Sequence, residues 1–400
     1  LIAVFLTEKL SKENVTMNAV IPAVLKRGTE KMDTQEKINK SLEELYGAEF
    51  NSGVDKTGDN HVLKFYIETL SNEYIITDEN LLKESIEKIL EMVFNPYLEN
   101  GVFKNDYVEE EKEKIRVLIE SKIDNKDKYA IERCTEELYK DMPYGLYKLG
   151  NKEDIQNINS QGLYKRYMDL INTAKIDIFI SGNFEQNEVE QIINQNGFIS
   201  KLPERDANYI VNNETTEVKE KCEEKNIKET LDVEQGKLVV ALDILENSEN
   251  SRYSVSIYNV ILGGSPNSKM FQNVREKEGL CYSIGSTYLR PKGNIFIKAG
   301  IQIENYDKTL ELMKKQIEDM KNGDFTNEDM DKAKKFMVYA IKSIEEDQEV
   351  GLTYYLGQEL SRSNVSPKEY LERINKVSKE DVINIANKVR GNTVYFLTKK

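Results

Sequence analysis

The chain has 400 residues, 39% of them hydrophobic and only 7 of them Pro, which describes an ordinary folded protein long enough for two domains. Its formal net charge of −14 argues against nucleic-acid binding, because phosphate contacts need basic patches. There is one histidine, His61, so no two-histidine zinc motif can form, and Cys134, Cys222 and Cys281 lie too far apart for a C-x-x-C chelate.

The opening LIAVFLTEKL reads as a strand: it is too short for a leader and lacks a basic n-region. No apolar run reaches the ~20 residues that span a bilayer. Three unpatterned cysteines suggest reduced thiols and a cytoplasmic setting.

In chain order the same landmarks then occur twice. The turn Arg27-Gly28-Thr29 precedes an amphipathic helix with Ile38, Leu42 and Leu45 at helical spacing, stopped by Gly47. VLKFYIETL (62–70) predicts a strand. Leu82, Ile86, Ile89, Leu90 and Val93 predict a second amphipathic helix, and FKNDYVEEEKEKI a third. IQNINSQGLYKRYMDLIN and IDIFISG close the half as helix and strand. Residues 204–225, rich in Asn, Glu and Lys, read as a charged linker between domains at 1–203 and 226–400.

After the strand GKLVVAL, the second half repeats the order. The turn is Gly263-Gly264-Ser265, and the helix carries Met270, Phe271 and Val274 before Gly279. The strand is NIFIKAGIQI, followed by helices with Leu310, Met313, Ile317 and Met320, then FTNEDMDKAKKFM. INKVSKEDVINIANKV and TVYFLT close it. The duplication predicts an α+β chain of two homologous domains, each a mainly antiparallel sheet covered by helices.

Three further features take bland readings. His61, at the start of a strand and without a G-x-S-x-G elbow, reads as a surface or strand-edge residue. Gly263-Gly264 lacks the G-x-x-x-x-G-K-[ST] continuation of a phosphate loop and reads as a turn. The acidic runs Glu109–Glu111 and Glu345–Asp347 read as solvated helix faces.

The segment ILGGSPNSKMFQNVREKEGLCYSIGSTY resembles the C-terminal domain of the insulinase/pitrilysin peptidases, whose fold is shared by mitochondrial processing peptidase subunits. Arg-Gly-Thr, Leu-Tyr-Gly-Ala and VEEEKEK resemble the N-terminal domain. The resemblance covers nearly the whole chain. It implies two α/β-sandwich domains. In active members an inverted H-x-x-E-H lies just before Lys-Gly-Thr. Here that stretch is Ala19-Val20-Ile21-Pro22-Ala23, and the third ligand, a Glu, maps onto Leu118. No zinc is therefore expected in this chain.

The family's Arg and Tyr, seven residues apart and assigned to substrate binding and oxyanion stabilisation, map onto Arg275 and Tyr282. The family includes two-chain enzymes with one zinc-free subunit. The resemblance implies such a subunit: it would form a heterodimer with a zinc-bearing homologue around a peptide-binding chamber, and a homodimer is also compatible. Among bacterial members it is most similar to the zinc-motif-lacking proteins associated with elongation factor P aminopentanol modification. A peptide-binding or scaffold protein without an enzymatic partner is the alternative.

Overall fold

The computed structural model describes residues 1–76, 78–205 and 223–400. The described residues group into two compact units. One lies within Leu1–Ser121 and Leu146–Val211, the other within Lys122–Gly145 and Asn212–Lys400.

The first unit begins with strand β1 (Ile2–Lys9), helix α1 (Val15–Leu25), helix α2 (Gln35–Glu44) and the hairpin β2 (Glu49–Thr57) and β3 (Asn60–Glu68). Helix α3 (Leu81–Phe94), the short pair β4 (Leu98–Glu99) and β5 (Val102–Phe103), and helix α4 (Asn105–Glu120) follow. The chain then gives helix α5 (Lys126–Leu138) to the second unit. It returns with α6 (Lys152–Gln156), α7 (Ser160–Thr173), β6 (Lys175–Ile180) and α8 (Gln186–Gln195).

The sheet order is β2-β3-β1-β6, with every neighbour antiparallel. An interior strand needs apolar residues on both faces, and IAVFLT, buried throughout β1, supplies them. Ile2, Val4 and Leu6 meet the helices through Val20 and Val24 of α1, Ile89 and Val93 of α3, and Leu163 and Leu170 of α7. The helix expected from Ile38 and Leu42 is α2, capped by the Thr34 hydroxyl, and Gly47 after it has φ of 77°.

The second unit runs β7 (Lys225–Thr230), β8 (Gly236–Ile244), helix α9 (Arg252–Asn259), two π-helical segments (Val260–Gly264 and Met270–Lys277), β9 (Cys281–Leu289) and β10 (Asn294–Ile301). Helices α10 (Tyr306–Lys321), α11 (Asn327–Glu346), α12 (Gln348–Leu360), α13 (Pro367–Lys376) and α14 (Lys379–Ala386) precede β11 (Val389–Thr398). The sheet order is β7-β11-β8-β10-β9.

Read from the opposite edge, β9-β10-β8-β11 repeats β2-β3-β1-β6. In both sheets one strand, β1 in the first and β8 in the second, lies between the hairpin and the last strand, as the duplication predicts. The parallel strand β7 is an addition to the second sheet. Leu238, Val240, Leu242, Ile295, Ile297 and Phe396 face the helices of this unit.

Helix α5 packs on the other face of the second sheet. Tyr129, Ala130 and Cys134 meet Val239, Ala241, Phe296, Tyr395 and Leu397. Tyr129, Tyr395 and Arg133 all donate to Glu229 of β7, at 2.6, 2.8 and 2.9 Å. Residues 122–145 thus lie in the first half of the sequence but pack with the second sheet. Most of the linker expected at 204–225 falls at 206–222, outside the described residues; its last residue, Lys225, opens β7.

Candidate functional site

Two places answer to the site residues expected from the sequence, one in each unit. The first is α1. Ala19 is 4% exposed, Pro22 is buried inside the helix and Ala23 is half-buried. Leu118 stands on α4, 52% exposed. Methyl, pyrrolidine and isobutyl groups offer no lone pair, so these positions do not fit the zinc that an H-x-x-E-H site would hold. Among the described residues no group of three His, Cys, Asp or Glu side chains is placed to hold a metal ion.

A buried polar network lies beside this helix instead. Asn18, one residue before Ala19, donates through Nδ2 to Glu8 Oε1 at 2.6 Å and lies 3.2 Å from His61 Nδ1. Arg166 of α7 donates to Asn18 Oδ1 at 3.0 Å and forms an ion pair with Glu8. His61 Nε2 is 3.0 Å from the Lys148 carbonyl. An amide donor on one side and a carbonyl on the other make the ring the neutral Nε2–H tautomer. Burial pushes its pKa down to about 4, against the raising effect of the Lys148 carbonyl.

The surface or strand-edge reading of His61 is therefore corrected. β3 is an interior strand, and His61, paired with Glu8 and Lys56, is fully buried. The solvated reading of Glu109–Glu111 also needs correction at one residue. Glu111 is buried against Arg27 Nη1 at 3.0 Å, while Glu110 meets Arg27 Nη2 at 2.7 Å from the exposed side.

The second place is the turn from the π-helical segment Met270–Lys277 into β9. Met270 and Val274 are buried and Lys277 is exposed. Ordinary α winding turns ~100° per residue and would put Lys277 within roughly 20° of Met270, facing the core. The wider winding of about 4.4 residues per turn carries Lys277 to the far side. It also brings Arg275 to roughly 50° from Met270, where α winding would leave it about 140° away.

The Arg275 guanidinium carbon lies 4.5 Å from the centre of the Phe271 ring, and Nη1 is 3.3 Å from the exposed Glu276. Gly279, with φ of 64°, ends the segment, and the Leu280 N–H reaches back to the Val274 carbonyl. Cys281 follows at the start of β9. Burial pushes its thiol up to about 11, and the nearby Arg275 charge acts against that rise.

Tyr282 is the extra residue of a β-bulge. Gly300 pairs with Ser283 and Ile301 with Cys281, so Tyr282 has no opposite number on β10. Strict alternation would place Tyr282 on the face of Ile284 and Tyr288, which pack on the helical core. The bulge puts Cys281 on that face and leaves Tyr282 58% exposed. Gln302 Nε2 approaches the phenol oxygen at 3.5 Å.

The preceding π-helical segment, Val260–Gly264, also packs closely on β9. A Cβ on Gly263 would stand 2.7 Å from Ser286 Oγ and 3.1 Å from its backbone nitrogen. Sequence reasoning placed Arg275 and Tyr282 on a helix and a strand but missed both irregularities. The polar Lys277 at the seventh position after Met270 was the signal for the first. It also missed the Glu8–Asn18–Arg166 network, for which Asn18 among apolar neighbours was the only hint.

Residues 157–337 match the family model described as the peptidase M16 inactive domain. The chain is 31% identical over 391 residues to the probable inactive metalloprotease YmfF of Bacillus subtilis, covering 97% of this chain and 90% of that protein. A conserved protein of Enterococcus faecalis has a crystal structure that superposes with a TM-score of 0.87 at 23% identity, covering 100% of this chain and 93% of that one. The peptidase M16 inactive domain of Pseudomonas fluorescens superposes at 0.75 with 19% identity, over 100% and 93% of the two chains. The chain therefore belongs to the insulinase-type M16 peptidase family, as an inactive member.

Proposed function

We propose that this protein is the non-catalytic subunit of a two-chain peptidase, pairing with a zinc-bearing homologue and helping to hold extended peptide for it. The observation that carries this reading is β9. It is the last strand of its sheet, and CYSIGSTYL contains no charged residue and no proline. Exposed edges are usually protected by such residues, because an open ladder recruits another strand. The other edge strands of the two large sheets comply: β2 carries Glu49, Asp55 and Lys56, β6 carries Lys175 and Asp177, and β7 carries Lys225, Lys228 and Glu229. An unprotected edge suits peptide addition through main-chain hydrogen bonds.

Arg275 and Tyr282 flank the start of that edge. A guanidinium and a phenol are both donors suited to a peptide carbonyl that gains negative charge during hydrolysis. In this reading the zinc and its water come from the partner, and this chain contributes binding and charge stabilisation.

The test is peptide hydrolysis by the reconstituted pair. Arg275→Ala and Tyr282→Phe leave the fold and the complex intact, since both side chains are substantially exposed. Each lowers kcat, up to roughly a hundredfold for a donor used in the transition state, with less effect on KM. Unchanged kcat in both variants sinks the assisting role and leaves a scaffold that only binds peptide.

A further inference from the structure

We infer that Phe271 is a positioning residue whose ring holds the Arg275 guanidinium ready for ligand; the inference rests on the peptide-holding role proposed for Arg275. The ring centre lies 4.5 Å from the guanidinium carbon, within the range of a cation–π contact. The two residues are four apart on the π-wound segment, close to one face of it. Phe271 is itself half-buried.

The chemistry of the contact decides what it does. Stacking uses the flat face of the guanidinium and none of its in-plane N–H groups. Among the described residues, the one carboxylate paired with Arg275 is the exposed Glu276, a neighbour in sequence at 3.3 Å. Such a surface pair contributes little and is readily exchanged for a ligand oxygen. Arg275 is thus ordered through its face while its donors stay available. An unsupported arginine would lose its rotamer freedom only on binding, and that loss would subtract from affinity.

The full chain permits two independent readouts. The first needs no ligand: 15N relaxation of the Arg275 Nε–H. Its order parameter falls in Phe271→Leu, which keeps an apolar side chain but removes the π face, and is restored in Phe271→Tyr. The second is fluorescence anisotropy with fluorescein-labelled carboxymethylated α-lactalbumin, an unfolded polypeptide. Phe271→Leu weakens binding roughly two- to fivefold, and Phe271→Tyr restores it. In an Arg275→Ala background Phe271→Leu causes no further loss, whereas a merely structural effect of Phe271 would persist.

An unchanged order parameter in Phe271→Leu overturns the inference. So does a Phe271→Leu loss of affinity that persists without Arg275. If the order parameter falls but the wild-type chain does not bind the unfolded probe, Phe271 does hold Arg275 and the peptide-holding role is what fails.

Discussion

At the scale of single residues, Ala19, Pro22 and Ala23 pack α1 with side chains that carry no metal-binding atom. Ala19 is packed so closely that an imidazole there costs about 1–3 kcal/mol in overpacking. The variant Ala19→His/Pro22→Glu/Ala23→His is therefore expected to be less stable than the natural chain. It should still lack equimolar zinc after dialysis, because Leu118 supplies no third ligand. Elemental analysis beside a urea melt checks both statements. Equimolar zinc in that variant, or in the unaltered protein, would contradict the reading of these positions.

His61 makes a pH-dependent prediction. Its folded pKa of about 4 lies below its ordinary value of 6.5, so the unfolded chain binds the proton more readily. Its contribution to stability is complete above pH 6.5, is lost as pH falls from there toward 4, and does not change further below. The full loss is at most about 3 kcal/mol. Urea unfolding of wild type and His61→Gln at pH 7.5 and 4.5 isolates the effect. The variant should be less stable than wild type at pH 7.5, with the gap narrowing at 4.5; a constant gap would mean that the ring titrates normally.

At the scale of elements, the packing of the segment Val260–Gly264 on β9 depends on a contact that only glycine allows. Gly263→Ala brings a Cβ against Ser286 in both side chain and backbone. β9 must move or the π-helical segment Val260–Gly264 must rewind. A cost of about 1–3 kcal/mol is expected, read as a lower melting temperature. Gly279→Ala should cost closer to ~1 kcal/mol, since its difficulty is φ and nothing lies near its Cβ. A larger loss at Gly279 than at Gly263 would mean that the close approach is not what holds β9 to the helical layer.

At the scale of the whole molecule, the second sheet depends on a helix from the first half of the sequence. Without α5, the apolar residues Val239, Ala241, Phe296, Tyr395 and Leu397 face water and Glu229 loses Tyr129 and Arg133. A fragment covering 226–400 should aggregate, since a patch of this kind is an association surface. Co-expression of 122–145 should restore solubility. A soluble, cooperatively melting fragment without that segment would show that α5 is dispensable to its unit.

The α+β class, the doubled order of elements and the family resemblance were legible in the sequence itself. Each depends on local periodicity or on the identity of a side chain. Alternation and helical spacing predict strands and helices wherever one face is buried, and Ala19, Pro22 and Ala23 have no ligand atom in any conformation. The burial of His61, the capture of α5 by the second sheet, the π winding under Arg275 and the bulge at Tyr282 were decided by tertiary structure. Three of these depend on a partner distant in sequence: the Lys148 carbonyl for His61, Glu229 and Tyr395 for α5, and, for the bulge, Gly300 and Ile301, which pair on either side of Tyr282. A side chain's identity states what chemistry it can do. Which way it points is set by the register of the element that holds it, and register is a property of packing between elements.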